Sequence, residues 1–100
     1  MRTPWGESQY IEPIGPGIDF VGTAGHGGIH LDRARTAAIK AKFPNFVPFT
    51  REYAWWEEDC DVALVIVTFP EFFSSDNVAR AKLQVLNDKY FASCREAVAA

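Results

Sequence analysis

Two histidines, two cysteines and a run of carboxylates are the residues whose types could do chemistry. His26 and His30 stand four apart in AGHGGIHL, and Glu57, Glu58 and Asp59 follow later. Two imidazoles and a carboxylate suit zinc or iron, and a further carboxylate could serve as the general base of a metal-assisted hydrolase. The spacing works against this reading. Four residues bring side chains together on a helix, whereas Gly25, Gly27 and Gly28 make the segment a loop or strand edge, where such positions lie roughly 13 Å apart. The preferred reading is structural: the glycines form a tight turn and His30 holds the entry to the next helix. Catalysis by His26, His30, Glu57 and Asp59 is therefore the secondary reading, and no cofactor or resident metal is expected.

Other candidates weaken on the same kind of test. A glycine-rich loop before a helix suits phosphate, but AGHGGIHLD lacks both the GxGxxG spacing and a GK[ST] ending. Cys60 lies among carboxylates, which raise a thiol pKa, so it reads as a buried, inert thiol. Arg33, Arg35, Lys40 and Lys42 read as the solvated flank of a helix more readily than as a nucleic-acid contact. The carboxylates Glu57, Glu58, Asp59 and Asp61, with Glu52 before them, could mimic phosphates toward a basic partner. Their structural explanation is that they occupy the first turn of a helix, where the dipole favours them.

These groups need elements to hold them, and 100 residues form one domain, 1–100, with a modest core. A net charge of −3 argues against direct nucleic-acid binding and for a basic protein or nucleoprotein surface as partner. MRTPWGESQY lacks the apolar stretch of a secretory signal, no run is long enough to span a membrane, and two free thiols suit a reducing compartment. The expected location is the cytoplasm, with no membrane partner.

The centre of the chain is WWEEDCDVALVIVTFPEFF, Trp55 to Phe73. Its run from Val62 to Phe69 is core, and we read Glu57 to Phe69 as the most buried helix, although Val62, Val65, Ile66 and Val67 also suit a strand. Residues 1–9 are expected to form an extended lead-in anchored by Trp5. Tyr10 to Thr23 reads as a hairpin around Gly15-Pro16-Gly17, with Ile29 to Leu31 a possible third strand. Asp32 caps a helix to about Phe43, with Ala34, Ala37, Ala38 and Ala41 on one face. Phe43, Phe46 and Phe49 pin a proline-broken connector, and they offer a contact for self-association. Ser74 to Asp76 caps a last helix from about 76 to 91, with Ala79, Leu83, Leu86 and Tyr90 as its apolar face. The tail from Ala92 to Ala100 could continue this helix, fraying toward the end. The expected class is α+β: a short antiparallel hairpin or three-stranded sheet packed against three helices.

Three motifs in order, TPWGESQY, AGHGGIHL and WWEEDCDVALVIVTFPEFF, resemble a family of small bacteriophage and proteobacterial mobile-element proteins of unknown function. The likeness spans most of residues 3 to 73. It departs at Trp56, where relatives tend to carry Tyr, and at Val62, where they tend to carry an aromatic. The resemblance implies an accessory gene product of the kind that antagonises host defence, as anti-CRISPR and antirestriction proteins do. The expected function is a non-enzymatic inhibitor that binds a host assembly through Glu57, Glu58, Asp59 and Asp61.

Overall fold

In the computed structural model, which describes residues 1–99, the chain is α+β. A two-stranded ladder, β1 (Arg2–Thr3) with β2 (Gly6–Glu7), opens it. A four-stranded antiparallel sheet follows in the order β3 (Tyr10–Gly15), β4 (Ile18–Gly22), β5 (Gly27–Leu31) and β6 (Trp55–Glu57). The helices are α1 (Arg33–Lys42), α2 (Val62–Thr68), α3 (Ser75–Asn87) and α4 (Arg95–Ala99). Short 3-10 turns at Pro70–Phe72 and Lys89–Cys94 precede α3 and α4.

The expected strand pairing is present and is larger by one strand. Gly17 makes the β3–β4 turn with φ of 77°, and its missing side chain leaves room for the Asp32 carboxylate. The Asp32 N–H donates to the Gly17 carbonyl at 2.9 Å, while its side chain accepts from the Arg35 N–H at 2.8 Å and caps α1. One interaction set thus fixes both the hairpin and the start of the first helix. Strand β3 forms the outer edge, and its register with β4 breaks between Pro13 and Gly15. Ile18, Ile29, Leu31 and Trp56 carry the sheet into the core. On the opposite face Trp5 lies over Gly28 and meets Trp55 edge to face at 5.7 Å. The first residues are therefore a paired clasp instead of an extended lead-in, and Trp5 anchors them as expected.

The apolar run is helical from Val62, with Ala63, Leu64, Val65 and Val67 buried. Its start differs from the expectation: Trp55 to Glu57 pair with β5, and residues 58 to 61 turn the chain into α2. Tertiary pairing with β5 overrides the attraction of carboxylates for a first helical turn. The helix ends where Phe69 leaves helical geometry before Pro70.

Helix α3 starts from Ser74, whose hydroxyl accepts from the Asn77 N–H at 3.1 Å. Its inward face is rotated from the expected one. Ala81 and Val85 are buried and Val78 is half-buried, whereas Leu83 is 60% exposed and Ala79, Leu86 and Tyr90 also face outward. A small residue at 81 lets α3 approach the bulky α2 closely. The alanines of α1 likewise face out, and Ile39 with Phe43 points inward. Phe43 and Phe46 pin the connector, with Phe46 packed on Trp56, Tyr90 and Phe91, but Phe49 is 74% exposed. Residues 92–99 pack through Cys94 and Val98 onto the core instead of fraying, and Ala100 lies outside the described residues.

Candidate functional site

The groups with unusual surroundings gather around Asp61, at the start of α2. Its side chain is fully buried and does not cap the helix. One carboxylate oxygen accepts from the Phe49 N–H at 2.7 Å, and the other accepts from the Tyr90 hydroxyl at 2.5 Å. Tyr90 is held in turn by Asp88, whose side chain accepts the Tyr90 N–H at 3.0 Å. One carboxylate thus ties together the connector, α2 and the turn between α3 and α4. Burial pushes the Asp61 pKa above the usual aspartate value, and the two donors only partly offset it. Burial first, and then the bond to Asp61, raises the Tyr90 pKa, so the phenol stays a protonated donor.

Tyr90 also lines a surface groove of about 540 Å³ with Val47, Pro48, Phe49 and Arg51. Val47 and Phe49 project apolar side chains into solvent. Arg51 is the one non-glycine residue with positive φ, 64°, among those described. Its N–H closes a turn onto the Pro48 carbonyl at 2.8 Å, and Thr50 braces that turn by donating to the Trp55 carbonyl at 2.9 Å. Left-handed backbone at a bulky residue costs about 1 kcal/mol, which the braced turn offsets.

The turn that leads into α2 forms an acidic corner. The Asp59 N–H donates to Glu57 Oε1 at 2.8 Å, and the Glu58 N–H donates to the Gly27 carbonyl at 3.0 Å, which fixes the turn after β6. Glu58 and Asp59 are exposed and Glu57 is half-buried. Burial, with the neighbouring Asp59 and Asp61 charges, raises the Glu57 pKa, although a backbone bond from Asp59 opposes the shift. The Cys60 thiol is pushed up to about 11, first by burial and then by Asp61, Asp88, Glu57 and Asp59. Among the described residues no Lys or Arg pairs with these carboxylates. The one ion pair among the described residues joins the Met1 amino group to Glu7 at 3.2 Å.

The corner therefore brings Glu57, Glu58 and Asp59 together and corrects the fourth choice, because Asp61 is interior and cannot meet a partner. It also corrects the capping explanation, since Glu57 belongs to a strand. Asp88 is set beside Tyr90 by the fold, and its charge also acts on Cys60, which no spacing rule announces. Tyr90 and Phe49 were legible only as part of an apolar face and a pinning ring, and nothing in the spacing singles out Arg51. Cys60, expected to be buried, is half-buried, and Cys94 is the fully buried thiol.

The histidines stand on either side of Gly27 and Gly28, which pair with Glu58 and Glu57. His30, on β5, packs its ring on Trp55 at 4.4 Å. His26 is exposed in the β4–β5 turn, where its N–H donates to Thr23 Oγ1 at 3.2 Å. Among the described residues no group of three or more His, Cys, Asp or Glu side chains is placed to hold a metal ion. On α1 the expected solvated flank is partly occupied. Arg35 stacks over Phe69 and Phe72 at 5.0 Å each, Lys40 over Tyr53 at 5.1 Å and Lys42 over Phe43 at 5.8 Å. No described helix is long and apolar enough to cross a membrane.

No curated protein and no solved structure matches the chain. A family model described as a domain of unknown function matches it from residue 1 to 100, so the chain belongs to that family, DUF7007.

Proposed function

We propose that the protein is a non-enzymatic binding module that docks on a basic surface of a host protein or nucleoprotein assembly and blocks it, in the manner of an anti-CRISPR or antirestriction protein of a phage or mobile element. The observation that carries this reading is the acidic corner: Glu57, Glu58 and Asp59 stand in one hydrogen-bonded turn, and no cation pairs with them among the described residues. Uncompensated carboxylates held on a fixed turn speed association with a basic groove and make it salt-sensitive. The resemblance to phage and mobile-element proteins supports the biological setting, and the net charge of −3 has the sign that a phosphate-like surface needs. The cytoplasm, where such assemblies work, is the matching location.

The test is capture of binding proteins from a bacterial lysate on immobilised wild type and on the double variant Glu58→Lys/Asp59→Lys, followed by nuclease assays with the captured assembly. The reading expects a nucleic-acid-binding assembly retained at low salt by wild type alone, and loss of its activity on saturation. Equal retention by both proteins, or retention with undiminished activity, would overturn it. Metal-assisted hydrolysis by His26, His30 and a carboxylate is the second reading, but no specific contact favours it.

A further inference from the structure

Helix α3 has two apolar faces, one buried and one exposed. The buried face, which packs on the body of the molecule, carries Val78, Ala81 and Val85. On the other, Ala79, Leu83 and Leu86 recur at intervals of four and three and all face solvent, Leu83 60% and Leu86 37% exposed. This alternation is the seam of a helix pair, in which apolar side chains interdigitate and the residues beside the seam choose the partner by charge. Here those residues are Arg80 and Lys82, followed seven positions on by Asn87 and Lys89, and all of them are exposed. None is acidic, and the three cations form no ion pair among the described residues. Asp76 stands in the first turn of the helix, ahead of the stripe. Tyr90 keeps the interval past the helix end, and the groove that it lines has one charged wall residue, Arg51, again a cation.

We propose that the outer face of α3 docks an amphipathic helix of a partner protein, apolar along its seam and with glutamate or aspartate beside it. The partner's apolar side chains pack between Leu83 and Leu86, and the small Ala79 lets the two helices approach. Its carboxylates meet Arg80, Lys82 and Lys89. Charge complementarity selects this occupant. A second copy would set the same cations against one another, and a helix that lies on a membrane presents a face rich in Lys and Arg, whereas this chain carries a net charge of −3. The proposal goes beyond the acidic-corner reading and does not depend on it, since it uses another element and the opposite charge.

The test uses the full chain and fluorescein-labelled synthetic peptides of about three heptads, with leucine along the seam and glutamate at the flanking positions. Matched peptides carry lysine at the flanks, or alanine along the seam, and binding is read by anisotropy at low and high salt. The glutamate-flanked, leucine-seamed peptide should bind best and weaken with salt. Leu83→Ala, at an exposed position and checked by thermal melting, should weaken that binding about tenfold or more, as loss of an anchor does. Arg80→Glu/Lys82→Glu should reverse the preference, so that the lysine-flanked peptide binds better. Equal binding of all peptides, or a Leu83→Ala or charge-reversed protein that binds like wild type, would overturn the proposal. Glu58→Lys/Asp59→Lys should bind the glutamate-flanked peptide no less well than wild type, and loss of binding there would move the site to the acidic corner and overturn it too. Two further measurements decide between occupants. A concentration-dependent dimer that Leu83→Glu abolishes would assign the face to a second copy, and sedimentation with phosphatidylserine-containing vesicles but no peptide binding would assign it to a membrane; either overturns the helix-docking proposal.

Discussion

Asp61 shows how one side chain can hold a surface in shape from beneath. Its carboxylate has two donors and no counter-ion, so ionisation inside the fold is disfavoured relative to water. Asp61→Asn keeps the size but leaves one donor facing an amide N–H₂, and it should cost about 1 to 3 kcal/mol in urea unfolding. The folded carboxyl holds its proton above the ordinary value of 3.8, so the native state binds more protons than the unfolded chain in that window. The stabilisation it gives is complete below pH 3.8 and is lost as pH rises through the folded value. The stability of wild type relative to Asp61→Asn should therefore decline as pH rises from the acid side toward neutrality. A relative stability that grows over that range would show that the two donors outweigh burial. The thiols give a second residue-scale prediction. With Cys60 pushed up to about 11, little thiolate exists at neutral pH and alkylation should be slow in the native protein, then quicken as pH approaches that value. Cys94 should react only on unfolding. Labelling of Cys94 ahead of Cys60 would place the thiols the other way round.

Helix α3 separates what its pattern says from what its packing does. Leu64 on α2 is fully buried and Leu83 on α3 is 60% exposed, so one substitution at two sites reads the orientation directly. Leu64→Ala should destabilise by about 2 to 5 kcal/mol. Leu83→Ala should stay within about 0.5 kcal/mol, and a large loss at Leu83 would restore the face read from spacing. Element boundaries were legible where a side chain closes a backbone group locally, as Asp32 and Ser74 do at their caps. The α3 face was not, because Ala79, Leu83, Leu86 and Tyr90 repeat as regularly as Val78, Ala81 and Val85. Only the bulk of α2 decides between them. Strand β6 was hidden for a related reason: Trp55 to Glu57 carries a helix-start charge pattern, and its partner β5 lies some 25 residues upstream across α1. Within the candidate site, Glu57, Glu58 and Asp59 were legible as neighbours in sequence. Asp88 and Tyr90 join them only through the fold.

At the scale of the molecule, the sheet is covered on both faces, by helices on one and by the N-terminal clasp on the other. Gly28 is the point where the clasp closes, since a methyl group there would meet the Trp5 ring and the Trp56 carbonyl. Gly28→Ala should therefore cost about 1 to 3 kcal/mol by overpacking, read as a lower melting temperature. An unchanged melting curve would show that Trp5 moves aside freely. The outer edge of the sheet is left open, with Tyr10 and Ile11 about half exposed. Such an edge invites another chain to add a strand and, repeated, to grow a fibril. Pro13 lacks the N–H that an incoming strand would accept, and the register break that follows it interrupts a continuous ladder. At high concentration, resistance to this growth decides how much of the protein stays in solution. Pro13→Val should shorten the lag of thioflavin-T fluorescence in agitated concentrated samples, and an unchanged lag would mean that the register break alone guards the edge.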